Sequence, residues 1–286
     1  MRKPWLLLAL CAPGLAQATA PSIEWTPCTP DGATEAFRCG ALLVPEDHAR
    51  PDSRRIKLHL VVAPALDADP KRAPLFELAG GPGVSAASGA SFYANEGASH
   101  RQHRDIVLVD QRGTGESTPL RCAELELASP LARMYPPDAV RRCRATLATH
   151  ADLSKYTTQQ SVADLELVRK TLGHERVDLF GLSYGTRLAL ASIEHAPAHV
   201  RSAVLIGVVP ADARLPLWHA RNAQQTLDQV FADCEADSTC HAETCVRCFS
   251  RIRRSMSISA ALSIQSHVRR STASCRGSLR RVTGSG

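Results

Sequence analysis

Gly181-Leu182-Ser183-Tyr184-Gly185 constrains this chain more than any other stretch. It follows Val177-Asp178-Leu179-Phe180, a short apolar run that reads as a strand, and it opens residues 184–195, whose apolar spacing is helical. A G-x-S-x-G between a strand and a helix is a nucleophile elbow. The turn is so sharp that the residues two before and two after the serine must be small for the backbones to pass, and Gly181 and Gly185 meet that demand. The turn lifts the Ser183 hydroxyl clear of the sheet. It also sets the Tyr184 N–H at the N-terminus of the next helix, where it can face a developing oxyanion.

The flanking sequence supplies the rest of such a sheet. Residues 41–45, 56–63, 74–78 and 204–206 read as further strands, and Ile106-Val107-Leu108-Val109 has the uniform apolar character of a strand buried on both faces. Residues 121–150 form a polar excursion with helical pieces. Residues 158–172 form a helix: Ser161 or Thr158 can cap it, Val162, Leu165, Val168 and Leu172 share a face, and Gly173 stops it. Residues 215–233 are helical again. Strands alternating with helices predict an α/β fold, a mostly parallel sheet with helices on both faces.

Two further motifs close strands. Gly80-Gly81-Pro82-Gly83 follows the 74–78 strand. A glycine loop can present an N–H with no side chain in the way, and Gly81 is the expected second oxyanion donor, with Gly80 and Gly83 supporting it. Asp110-Gln111-Arg112-Gly113-Thr114-Gly115-Glu116-Ser117 follows the 106–109 strand, and Asp110 and Arg112 are expected to form an ion pair that fixes this loop. The Gly-x-Gly within it is neither a G-x-G-x-x-G nor a Walker loop. Cys245-x-x-Cys248 has no second pair to complete a zinc site. No metal or cofactor is expected.

These motifs, in this order and with Tyr156-Thr157-Thr158 between the second and the elbow, resemble the secreted α/β-hydrolase serine peptidases of the tripeptidyl aminopeptidase and prolyl iminopeptidase type. The resemblance covers roughly residues 24–243. It implies an α/β-hydrolase fold and a Ser-His-Asp hydrolase that removes short pieces from peptide N-termini. Ser183 would be its nucleophile, with the Gly81 and Tyr184 N–H groups as oxyanion hole. The family's lid and last strands come after this point, and its acid and base lie on those strands, in the chain order Ser, acid, His. His195, His199, His219, His241 and His267 do not stand in that context. The expectation is therefore an incomplete fold with C-terminal strands and lid missing, and little turnover by this chain. The competing reading is a non-catalytic remnant or binding protein, or an esterase-like hydrolase acting on a small ester or amide.

The ends of the 286-residue chain differ from its body. Arg2 and Lys3, an apolar run from Trp5 to about Leu15, and Ala16-Gln17-Ala18 make an export signal over residues 1–18, cleaved before Thr19. No other apolar run approaches the ~18 residues of a membrane span. A secreted or periplasmic location, with no stable membrane anchor, lets cysteines pair. Proximity favours Cys28–Cys39, Cys122–Cys143 and Cys234–Cys240. Residues 19–243 form the hydrolase-like part, mildly acidic with 23 basic and 28 acidic residues. Residues 244–286 hold nine Arg, ten Ser and no acid. Such a segment cannot bury enough apolar surface to offset its ordering entropy. Disorder, or a change of reading frame that replaced the rest of a longer hydrolase, fits it better than a nucleic-acid arm on an exported protein. The expected partner is a peptide or a small ester or amide, not a nucleic acid; composition leaves the oligomeric state open.

Overall fold

The computed structural model describes residues 21–30, 33, 35–125, 135–214 and 217–237. Residues 1–18 and 244–286, expected as export signal and basic tail, lie outside them. The chain divides into two compact units, before and after the Ala211/Asp212 boundary.

The first unit is built on one seven-stranded sheet. Its strands are β1 (Ile23–Cys28), β2 (Phe37–Pro45), β3 (Arg55–Ala63), β4 (Leu75–Leu78), β5 (Ile106–Val109), β6 (Val177–Leu182) and β7 (Val200–Ile206), in spatial order β1-β2-β3-β5-β4-β6-β7. β1, β2, β3 and β5 pair antiparallel, and β5, β4, β6 and β7 run parallel. β5 alternates between two cores, as a doubly covered strand must. Val107 and Val109 join Leu60, Val62, Phe76, Leu179, and Val168 and Leu188 from helices α3 (Thr158–Thr171) and α4 (Tyr184–His195). Ile106 and Leu108 face the other way, onto Phe37, Val61, Ala86, Ala90 and Tyr93 beside helix α1 (Ala90–Ala94). The sheet is thus covered by helices on both faces. Helix α2 (Pro137–Ala148) and the 3₁₀ turn Ala123–Leu125 make up the described part of the 121–150 excursion.

Three elements differ from expectation. β1 carries no alternating signal and includes Pro27; its place at the sheet edge tolerates a proline that a central strand would not. The α3 cap is Thr157, whose Oγ1 accepts the Gln160 N–H, one residue ahead of Thr158 and four ahead of Ser161, the two expected caps. β7 was expected as a buried strand, but Val204 and Ile206 are 55% and 48% exposed. Among the described residues no strand pairs with its outer edge, and only Val200 and Leu205 pack toward the α3–α4 core.

Two expected disulfides are present. Cys28–Cys39 ties β1 to β2, with Cα atoms 5.7 Å apart. Cys122–Cys143 ties the 3₁₀ turn to α2, at 5.6 Å. Cys240, of the third expected pair, lies outside the described residues. In the second unit, helix α5 (His219–Ala236) begins four residues later than expected and carries Gln224–Asp228 and Gln229–Asp233 bonds along its surface. Among the described residues no helix is long and apolar enough to cross a membrane.

Candidate functional site

The parallel pairing of β4 with β6 decides where the motifs meet. Leu78 is in register with Gly181, so the glycine loop that ends β4 and the turn that ends β6 leave the sheet side by side. The contact is close enough to forbid side chains. A Cβ on Gly80 would lie 2.8 Å from the Leu182 carbonyl oxygen and 3.3 Å from Ser183 Cβ. On Gly185 it would lie 1.8 Å from the Leu78 carbonyl oxygen, and on Gly181 3.0 Å from Thr186 Cα. A side chain at Gly185 would thus collide with the β4 backbone, while one at Gly181 would be tight and require a small shift of the neighbouring turn.

Ser183 itself has φ 49° and ψ −115°, a left-handed conformation that few residues with a side chain adopt. The surroundings hold it there. Its N–H donates to the Ile206 carbonyl at 2.7 Å, so β7 grips the turn. Its carbonyl accepts from both the Thr186 N–H, at 3.0 Å, and the Thr186 hydroxyl, at 2.6 Å. That hydroxyl in turn accepts the Val209 N–H at 2.8 Å. Sequence reading passed over Thr186. It is fully buried and clamps the elbow to the segment after β7; the only local signal was a hydroxyl three residues beyond the serine.

Ser183 is exposed, and its Oγ makes no hydrogen bond among the described residues. The N–H groups of Gly81 and Tyr184 also have no hydrogen-bond partner among them. Gly81, at φ +81°, and Gly83, at φ +87°, both use conformations suited to glycine. Beside the elbow, a cleft of about 480 Å³ is lined by Gly83, Gln111, Tyr156, Tyr184, Arg187 and Glu194, among others. Ser183 stands at its margin rather than in its wall. His195 also lines this cleft, with Nδ1 bonded to the Ala191 carbonyl. His199 is engaged by Glu166 and Arg169. Neither is bonded to Ser183. His219 is in the second unit, and His241 and His267 lie outside the described residues.

The loop after β5 corrects one expectation: Asp110 and Arg112 do not pair with each other. The two side chains leave the loop toward different neighbours, just ahead of the turn at Gly113, φ +81°. Arg112, 4% exposed, forms a two-point ion pair with Asp164 of α3, at 2.8 and 2.7 Å, and donates to the Glu46 and Lys155 carbonyls. Asp164 also binds His48 Nε2 at 2.7 Å. Asp110, wholly buried, accepts from the Ser85 hydroxyl at 2.6 Å, the Ala87 N–H at 3.0 Å, the Glu116 N–H at 3.1 Å and His59 Nδ1 at 3.0 Å. Burial alone would raise its pKa, but these donors together hold the carboxyl below its ordinary value. Asp110 thus anchors residues 85–87, the continuation of the glycine loop, while Arg112 anchors α3 beneath the cleft. Tyr156, at the cleft wall, is pushed up to about 12 by burial and by Glu46. Among the described residues no group of three or more His, Cys, Asp or Glu is gathered as a metal site would require.

Comparison with known proteins places this geometry. The family model described as alpha/beta hydrolase fold matches residues 74–242. A tripeptidyl aminopeptidase from Streptomyces lividans is 28% identical over 228 residues, 73% of this chain and 42% of that protein. The serine protease Hip1 from Mycobacterium tuberculosis is 29% identical over 247 residues, 76% of this chain and 46% of its own length. A proline iminopeptidase from Neisseria meningitidis is 31% identical over 150 residues, 52% of this chain and 37% of that protein. The chain spans less than half the length of these relatives.

Proposed function

Because this chain belongs to the alpha/beta hydrolase fold family, we propose that it carries the nucleophile half of a serine hydrolase of aminopeptidase type. Ser183 would attack the scissile carbonyl of a short N-terminal peptide unit and form an acyl-enzyme. The Gly81 and Tyr184 N–H groups would receive the developing oxyanion. The observation that carries this reading is the strained Ser183 backbone, φ 49° and ψ −115°, held beside two N–H groups that have no hydrogen-bond partner among the described residues. Strain of this kind persists only where its surroundings over-determine it, and it gathers at reacting groups. The peptidase names of the relatives, tripeptidyl aminopeptidase and proline iminopeptidase, support a peptide substrate. The two disulfides support an oxidising, exported setting with residues 1–18 removed.

The base is the element without a candidate among the described residues. A serine hydroxyl needs an acceptor within ~2.6–3.2 Å to become a good nucleophile, and no histidine here is hydrogen-bonded to it. We therefore expect this chain to turn over little by itself. The experiment is release from aminoacyl and tripeptidyl chromogenic substrates by the purified chain and by Ser183→Ala. Low, serine-dependent release supports the proposal. Robust turnover lost in Ser183→Ala would show that a histidine of this chain acts as base. Equal release by both proteins would remove Ser183 from the chemistry.

A further inference from the structure

On the sheet face away from α3 and α4, a second cavity of about 270 Å³ is lined by Cys28, Cys39, His59, Val61, Ser88 and Ser91, among others. It brings a disulfide and an imidazole into one wall. The register explains why. Cys39 is opposite Val61, and His59 lies two residues before Val61 on the same strand face. His59 and Cys39 are therefore diagonal cross-strand neighbours, a spacing that an aromatic ring can bridge. Cys28 stands one strand further out, on the edge strand β1, and both cysteines are half-buried rather than sealed.

The imidazole is prepared for proton transfer. Asp110 is buried and binds His59 Nδ1 at 3.0 Å, which fixes the ring and leaves Nε2 as the free nitrogen. Nε2 has no hydrogen-bond partner among the described residues, and the ring is part of the cavity wall.

We propose that Cys28–Cys39 is an exchange-active disulfide at which a small aliphatic thiol of cysteine size adds to Cys28, with His59 as the proton shuttle. The thiol sulfur attacks Cys28 Sγ as its proton passes to His59 Nε2. The Cys28–Cys39 bond breaks, its electron pair leaves on Cys39 Sγ, and His59 returns the proton there. One thiol and one disulfide become one mixed disulfide and one free thiol, with no other oxidant or reductant. The outcome at Cys39 follows from its place on β2, the strand beside His59, whereas Cys28 lies one strand further out. Cys122–Cys143 serves as the internal reference, since Cys143, on α2, is buried and neither cysteine lines this cavity. The proposal stands apart from the hydrolase reading and does not require Ser183 to react.

The test incubates the oxidised full chain with L-cysteine under native conditions, quenches with acid, alkylates free thiols and maps the peptides over time. The expected result is a cysteinyl adduct on Cys28 with Cys39 free. Opening should be about tenfold or more faster than at Cys122–Cys143. His59→Gln, which keeps a donor for Asp110 but provides no base, should slow Cys28–Cys39 about tenfold and leave the reference bridge unchanged. If that variant loosens the fold, both bridges open faster together; Ser88→Leu, which narrows the cavity without touching the dyad, should then still suppress the Cys28 adduct. Equal opening of the two bridges in the native chain, an adduct only on Cys39, or an unchanged rate in both variants overturns the proposal.

Discussion

Arg112→Met is the substitution whose consequence the structure defines most fully. The guanidinium is buried, pairs with Asp164 through two bonds of 2.8 and 2.7 Å, and also caps the Glu46 carbonyl at 2.6 Å and the Lys155 carbonyl at 2.9 Å. Met fills comparable volume but leaves Asp164, 2% exposed, with His48 as its remaining side-chain hydrogen-bond partner. Removing one member of a buried pair costs about 3–5 kcal/mol, chiefly through the stranded charge. The second substitution separates stranding from lost packing. Arg112→Met with Asp164→Leu removes both charges and should recover a large part of the loss, because a well-packed apolar replacement of a buried pair is often close to neutral. The assay is urea unfolding followed by tryptophan fluorescence, with the midpoint shift converted through a common slope. A single-variant loss below about 1 kcal/mol, or a double variant no more stable than Arg112→Met alone, would refute the reasoning.

Three other outcomes follow from the same geometry. Gly185→Ala places a methyl 1.8 Å from the Leu78 carbonyl oxygen, which no side-chain motion relieves; the variant should fail to accumulate as folded protein, as judged by circular dichroism and size exclusion. Thr186→Val breaks the bond to the Ser183 carbonyl and leaves the Val209 N–H unpaired. It should cost about 1–3 kcal/mol and speed hydrogen exchange at Val209, with Thr186→Ser restoring both. Asp47 is lowered to about 2 by hydrogen bonds from Arg50 and Lys155. A depressed carboxylate stabilises the fold above its unfolded pKa, about 4, and that contribution is lost as pH falls toward 2. Thermal melts of Asp47→Asn should therefore lie below the parent at neutral pH and converge with it through this acid window.

The legible parts of this protein are those set by neighbours in sequence. The elbow is local: Gly181, Ser183 and Gly185 must sit where they do because one turn joins β6 to α4. The β5 run Ile106–Val109 is uniformly apolar because it is covered twice, and that too is visible in four residues. Long-range pairings were not legible. Nothing near Arg112 in sequence points to Asp164, which lies on a helix packed beneath the loop, and the adjacent Asp110 was the natural but wrong partner. β1 was hidden because an edge strand needs neither alternation nor freedom from proline; the register with β2 and the Cys28–Cys39 bridge define it instead. Thr186 went unnoticed because its meaning lies in Val209, which only the path of the chain after β7 brings alongside.

The central claim is that Ser183 and two backbone N–H groups are already assembled for a tetrahedral oxyanion. A peptide boronic acid tests it directly, since boron becomes tetrahedral only when a hydroxyl adds to it and the adduct's oxygen sits where the oxyanion would. Boron NMR of the purified chain with such a compound should show a tetrahedral signal that is lost in Ser183→Ala and weakened in Gly81→Ala. No tetrahedral signal in the parent chain, or one that survives intact in Ser183→Ala, would contradict the account.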